Sequence, residues 1–157
     1  MELHSRTDDT PEARRIFEGH LRECYGRTVY SHKTHEKCAD ILLSRLATIK
    51  VWQIALSAIT TAGFVGTALG SGKAAALIGI FVSTALLVLN AYTKNYDLGE
   101  LAQKHKQSAN DLWLIREKYL ALLVDIGMRE KPIEALQTKR DELLGQLHAV
   151  YAGAPST

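Results

Sequence analysis

Charged residues are almost missing from the centre of this 157-residue chain. Between Lys50 and Lys94 there is a single one, Lys73, which separates the uncharged runs 51–72 and 74–93. This lack excludes the charged, water-facing side that a surface helix carries. About 20 predominantly apolar residues in a helix cross the hydrocarbon core of a bilayer. The sequence therefore predicts a transmembrane helical hairpin with spans 51–70 and 74–93.

Other features that the sequence lacks argue against several classes of function. The chain has only 2 cysteines, so no disulfide framework holds the fold. Its net charge is only +2, which argues against a nucleic acid polymer as partner. The spans contain no Asp, Glu, Lys, Arg or His, whereas an ion-coupled transporter would usually carry one. No nucleophile–base–acid set is present in the pattern, so we expect neither an enzyme nor a cofactor.

Two patterns resemble known sites and fail on their spacing. A phosphate-binding loop needs glycine at position 67 and Ser or Thr after Lys73, where this chain has Thr67 and Ala74. A zinc site would have to be assembled from Cys24, His32, His35 and Cys38. Their spacing matches no zinc motif, so we expect no metal site.

The flanks of the hairpin are predicted to be helical. Residues 1–10 are polar and expected to be disordered, and Thr10-Pro11-Glu12 has the cap, proline and acid of a helix start. Helices are expected over 11–50, with an interruption or a kink near Tyr25-Gly26-Arg27 and then an unbroken run into the first span. Further helices are expected over 94–152. There Gly127 should end one helix and Pro132 open the next, and 153–157 form a frayed tail.

A heptad-like seam follows the second span. Its positions recur by three and four residues: Leu98, Leu101, His105, Ser108, Leu112, Ile115, Tyr119, Leu122 and Ile126. This spacing is typical of a coiled coil or helical bundle, and His105 and Ser108 weaken it. No segment alternates with the period of a β-strand. We therefore predict an all-α membrane protein, in which a two-span hairpin continues into long cytosolic helices.

Positive charge beside the spans predicts their orientation. It lies on the outer sides of the hairpin, at Lys33, Lys37, Arg45 and Lys50 and at Lys94, Lys104 and Lys106. The connecting turn carries Lys73 alone. By the positive-inside rule, both termini are expected in the cytosol.

Small residues at four-residue spacing form a stripe on each span. The stripes are Ala58, Ala62, Gly66 and Gly70, and Ala75, Gly79 and Ser83. Small residues let helices approach closely in lipid. Either both stripes pack the hairpin against itself, or one of them packs a neighbouring subunit. The pore-lining candidates are Ser57, Thr60, Thr61, Thr67 and Asn90. The alternative is that the hydroxyls among them bond to their own backbone carbonyls.

The segment 30–38, Tyr-Ser-His-Lys-Thr-His-Glu-Lys-Cys, is unusually polar for a helix that approaches a membrane. One interpretation is a basic face directed at anionic lipid headgroups. The other is a surface for an anionic ligand or for assembly. That surface would comprise Tyr30, His32, Lys33, His35 and Lys37.

This run, continued to Asp40 and followed by Trp-Gln-Ile at 52–54 and Leu-Ser-Ala-Ile-Thr-Thr at 56–61, resembles the SLATT family. These are two-transmembrane effector domains associated with SMODS nucleotidyltransferases or SLOG nucleotide-sensing domains. The resemblance covers nearly the whole chain. It implies a bacterial antiviral defence effector in the inner membrane, controlled by a nucleotide second messenger or a nucleotide-sensing partner. Such effectors are expected to oligomerise and form a pore or disrupt the membrane, which causes cell death or growth arrest.

Three alternatives stay open. A non-catalytic membrane-anchored scaffold would display the helices for partner binding. A holin-like pore former shares the hairpin but does not need four heptads of seam. A soluble bundle would bury the apolar helices completely, because residues 74–89 are apolar all round.

Overall fold

Four α-helices account for most of the described chain. The computed structural model describes residues 9–68, 70 and 73–156. The helices are α1 (Pro11–Ala68), α2 (Lys73–Asn95), α3 (Leu98–Met128) and α4 (Ile133–Gly153). No strand occurs within these residues, and the predicted all-α fold with two long apolar helices is confirmed. Residues 1–8 of the segment expected to be disordered lie outside the described residues, as do Ser71, Gly72 and Thr157.

The predicted start of α1 is confirmed. The Thr10 hydroxyl accepts a hydrogen bond from the backbone N–H of Ala13 at 3.1 Å. Pro11 occupies the first helical position, where its missing N–H costs nothing. Glu12 adds a negative charge to the first turn.

Of the two alternatives at Tyr25-Gly26-Arg27, the interruption is wrong, because α1 runs through this segment unbroken, and the kink stays a prediction. Glycine in a helix interior costs only about 1 kcal/mol relative to alanine. Gly26 lies on the exposed side, while Cys24 and Thr28 on the opposite side are buried. The Thr28 hydroxyl donates to the Cys24 carbonyl at 2.9 Å. Packing of this buried side outweighs the cost of one exposed glycine.

The turns between the helices have local causes. Asp97 caps α3 by accepting the N–H of Glu100 on its Oδ1 at 2.8 Å. Helix α3 includes Gly127 and ends one residue later than predicted, at Met128. Arg129 then takes the left-handed conformation, with φ of 57°. Helix α4 begins directly after Pro132, as the sequence predicts.

The chain forms two compact units, and the first combines Met1–Cys38 with Lys104–Thr157. Its core is contributed by α1, α3 and α4. The core residues are Phe17, Leu21, Cys24, Ile115, Tyr119, Leu122, Ile126, Ile133, Leu136 and Leu143. The predicted seam is buried at every position from His105 to Ile126. Its spacing thus identified the buried side of α3 correctly.

The second unit, Ala39–Gln103, contains the end of α1, all of α2 and the first residues of α3. Gln53 of α1 joins α2 by donating to Asn90 Oδ1 at 2.9 Å and to Thr93 Oγ1 at 3.3 Å. Gly63 and Thr67 of α1 line one groove together with residues of α2. Leu56 and Thr60 of α1 are half-buried. This unit holds the predicted hairpin.

Candidate functional site

The apolar surface of the hairpin is not covered by the protein. Both apolar helices are long enough to cross a membrane. In each of them, 0% of the apolar 18-residue stretch is buried. Large side chains are exposed along both, among them Trp52, Ile54, Phe64, Ile80, Phe81 and Leu87. The core helix of a soluble bundle would bury this surface. The observation favours lipid contact over the soluble alternative.

The two small-residue stripes lie in different surroundings. Ala75, Gly79 and Ser83 of α2 are half-buried, and they line an open groove of about 430 Å³ together with Gly63 and Thr67 of α1. On the α1 stripe, Ala58, Ala62 and Gly70 are exposed and Gly66 is half-buried. The described hairpin therefore brings the α2 stripe, but not the whole α1 stripe, to the contact between its helices.

The threonines among the pore-lining candidates bond to the backbone of their own helix. The hydroxyls of Thr60, Thr61 and Thr67 donate to carbonyls one turn earlier, at 2.9, 3.0 and 3.1 Å. Asn90 instead accepts the hydrogen bond from Gln53. Ser57 is exposed, and its carbonyl is the acceptor for Thr61. Within one chain, the three threonine hydroxyls and the side-chain oxygen of Asn90 thus have hydrogen-bond partners.

Sequence reasoning did not single out Gln53. A usable signal existed, because Gln53 and Asn90 are polar residues near the same end of the two predicted spans. In an antiparallel hairpin such residues lie at the same depth. An amide pair inside an apolar helix contact has few other partners, which makes the hydrogen bond between them favourable.

The five residues of the predicted ligand or assembly surface do not share one face of α1. Tyr30 is 75% exposed, and Lys33 and Lys37 are exposed as well. His32 and His35 are buried on the side that also carries Thr28. The cause is helical geometry, since positions 28, 32 and 35 follow the four-and-three spacing of the buried side. Lys33 forms a 2.6 Å ion pair with Glu36 one turn later.

The buried histidines belong to a polar layer in the first unit. Nδ1 of His35 lies 2.9 Å from Nδ1 of His105 on α3, so one neutral ring donates and the other accepts. Burial lowers the pKa of His35, and the neighbouring His105 lowers it further. Burial also lowers the pKa of His105. Both rings are therefore neutral near pH 7. This pairing joins positions 70 residues apart, and no local pattern indicated it.

His32 is the third buried ring of the layer. Its Nε2 lies 3.5 Å from a Glu36 carboxylate oxygen. Its Nδ1 has no hydrogen-bond partner among the described residues. Burial lowers the pKa of His32, whereas Glu36 opposes that shift. His32 is thus held in the core with one polar atom unsatisfied.

A cavity of about 300 Å³ adjoins this layer. Tyr30, Thr34 and His35 of α1 line it on one side, and Tyr151 and Pro155 on the other. The hydroxyls of Ser31 and Tyr151 are hydrogen-bonded at 2.8 Å beside it. Tyr151 was missed by sequence reasoning because it is 120 residues from Ser31. The cavity offers aromatic and hydroxyl groups, and the exposed ring of Tyr30 is available for stacking.

One family is similar to this chain over nearly its whole length. Its description is SMODS and SLOG-associating 2TM effector domain family 4, and it matches residues 17–157. No curated protein and no solved structure matches the chain. The matched segment includes both apolar helices, the seam and the polar layer. With its two uncovered apolar helices, the chain belongs to the SMODS and SLOG-associating 2TM effector domain family 4.

Proposed function

We propose that this protein is the membrane effector of a bacterial antiviral defence system controlled by a nucleotide signal. Several copies assemble in the inner membrane and form a pore or disrupt the membrane, which kills or arrests the cell. The uncovered apolar surface of the two long helices carries the proposal. The family supports it, being a two-transmembrane effector domain that associates with SMODS and SLOG proteins and not a known catalytic family.

The exposed part of the α1 stripe supports assembly. Ala58 and Ala62 leave a narrow, smooth strip on the outside of the hairpin, whereas Gly79 lies at the contact within it. Small residues allow the close approach on which helix association in lipid depends. We place the contact between copies at Ala58 and Ala62. Gly79 serves the hairpin itself.

Growth of cells that express the chain tests this assignment. Ala62→Leu should relieve growth arrest and reduce uptake of a membrane-impermeant dye, because the larger side chain holds neighbouring copies apart. Ala85→Leu is the matched control, since Ala85 is an exposed alanine of α2 outside both stripes. It should leave both effects unchanged. Equal relief by the two variants would contradict the contact. If neither the wild type nor either variant arrested growth, a membrane-anchored scaffold would be favoured.

The signal acts on the first unit in this proposal. The exposed residues Tyr30, Lys33 and Lys37 form the ligand or partner surface, with the cavity beside Tyr30 as its recess. A cyclic dinucleotide is a suitable probe, because its bases can stack on an aromatic ring and its phosphates pair with lysine. Tyr30→Ala should weaken its binding in calorimetry. Ile16→Ala, at another exposed position of α1, should not. Equal binding by both variants would show that the ligand binds at another place.

A further inference from the structure

Five polar residues occupy buried positions inside the first unit. They are Thr28, His32, His35, His105 and Ser108, all buried. The hydroxyls of Thr28 and Ser108 donate to carbonyls of their own helices, at 2.9 and 3.1 Å. These two hydrogen bonds therefore do not depend on contact between the helices. The histidines, in contrast, need a partner on a neighbouring side chain. A change in their protonation can therefore alter the contact between the helices.

The pair formed by His35 and His105 can hold only one proton between its facing nitrogens. The two Nδ1 atoms are 2.9 Å apart, the ring centroids 5.1 Å apart, and the residues 4% and 3% exposed. One Nδ1 must carry hydrogen and the other must offer a lone pair. A proton added to the accepting nitrogen places two N–H groups face to face. It also puts a charge on rings that are almost completely buried, which is unfavourable.

In the part of the chain that the structure describes, the charged groups around this layer do not supply a clear counter-charge for that proton. On α1, Glu36 and Lys33 act on His32, with opposite signs. On α3, Arg116 acts on His32 and disfavours its charged form. On α4, Tyr151 lines the cavity beside His35 and contributes a neutral hydroxyl. Among the described residues, no group of three His, Cys, Asp or Glu side chains completes a metal site here.

We propose that His35 and His105 form a proton-sensitive latch that holds α1 against α3 in the first unit. Uptake of one proton breaks their hydrogen bond and releases this part of α1 from α3. The latch itself does not depend on the proposed function. Its effect on the membrane does, since only an effector would convert release of α1 into a change of the spans.

The direction of the response follows from burial. Both rings have a pKa below the ordinary 6.5 when packed, and regain it when the helices separate. Below about pH 6.5 the open form therefore binds more protons than the closed form, and acid favours opening. One linked proton shifts the ratio of open to closed forms by up to about tenfold per pH unit.

Hydrogen exchange of the full chain in lipid nanodiscs tests the latch. Protection factors, corrected for the intrinsic effect of pH, are measured between about pH 7.5 and pH 5.5. In the wild type, peptides spanning 28–38 and 104–112 should lose about tenfold or more in protection. Peptides spanning 115–126 should lose much less. The variant His35→Gln/His105→Gln should lose clearly less protection than the wild type, because only the buried ring of His32 still titrates there. His148→Gln, which changes an exposed histidine of α4, should behave as the wild type.

A single variant keeps the test decisive if the double variant does not fold. His105→Gln leaves an amide that can bond to His35 and removes one titrating ring. Its loss of protection over the same range should be clearly smaller than that of the wild type. The latch is overturned if wild-type protection is independent of pH, or if His105→Gln responds as strongly as the wild type. Because this readout needs no membrane leakage, its outcome is separate from that of the proposed function.

Discussion

Single polar residues add directional contacts between helices inside each of the two units. Gln53 contributes two hydrogen bonds between α1 and α2, and the His35–His105 pair contributes one between α1 and α3. The Gln53 contact lies between two apolar helices and both histidines are buried, so the loss of a partner is costly at either place. These contacts add direction to helix surfaces that are mostly apolar.

Removal of the Gln53 side-chain amide should weaken the hairpin. Gln53→Leu leaves Asn90 without its donor, and interhelical hydrogen bonds in membranes contribute about 0.6–2 kcal/mol. We expect a loss of that size in the free energy of unfolding, measured by denaturant titration in micelles. Thr61→Val is the control, because its hydroxyl bonds only to the backbone of its own helix. A Gln53→Leu hairpin as stable as that of the control would show that the amide contact adds nothing.

At the scale of elements, apolar spacing predicted the helices and their buried sides. The seam of α3, the start of α1 and the opening of α4 after Pro132 all followed from local pattern. Long-range pairs did not, because their partners are 37, 70 and 120 residues apart in the chain. The interruption at Gly26 was wrong for the same reason, since the packing that sustains α1 there comes from distant segments.

The continuity of α1 at Gly26 leads to a stability prediction. A Cβ at Gly26 would meet no atom within 4 Å, so Gly26→Ala should stabilise the fold by about 0.5–1 kcal/mol. Gly99→Ala is the contrasting case. There a Cβ would lie 3.2 Å from Asp97 Oδ1 and 3.6 Å from Leu46. We expect a higher unfolding temperature for Gly26→Ala only. A lower temperature for Gly26→Ala would mean that α1 needs flexibility at this point.

For the whole molecule, the uncovered apolar hairpin and the family match account for a membrane location. Orientation stays a prediction from the distribution of lysine and arginine. In that prediction Lys73 faces the far side of the membrane and Lys37 the cytosol.

Thiol labelling tests this orientation. In a chain whose two cysteines are replaced by alanine, Lys73→Cys and Lys37→Cys place one thiol at each exposed position. A reagent that cannot cross the inner membrane should label Lys73→Cys in intact spheroplasts, and Lys37→Cys only after lysis. Labelling of both before lysis, or of Lys37→Cys alone, would contradict the predicted orientation.

In the proposed function, copies of this chain break the barrier of a membrane. The most direct test of this claim is release of a trapped dye from liposomes that contain the purified full-length protein, at increasing protein-to-lipid ratio, with and without a cyclic dinucleotide. We predict release that rises more steeply than in proportion to protein density, and less release by Ala62→Leu than by Ala85→Leu at equal density. Liposomes that keep their dye at every protein density, both with and without the cyclic dinucleotide, would contradict the claim.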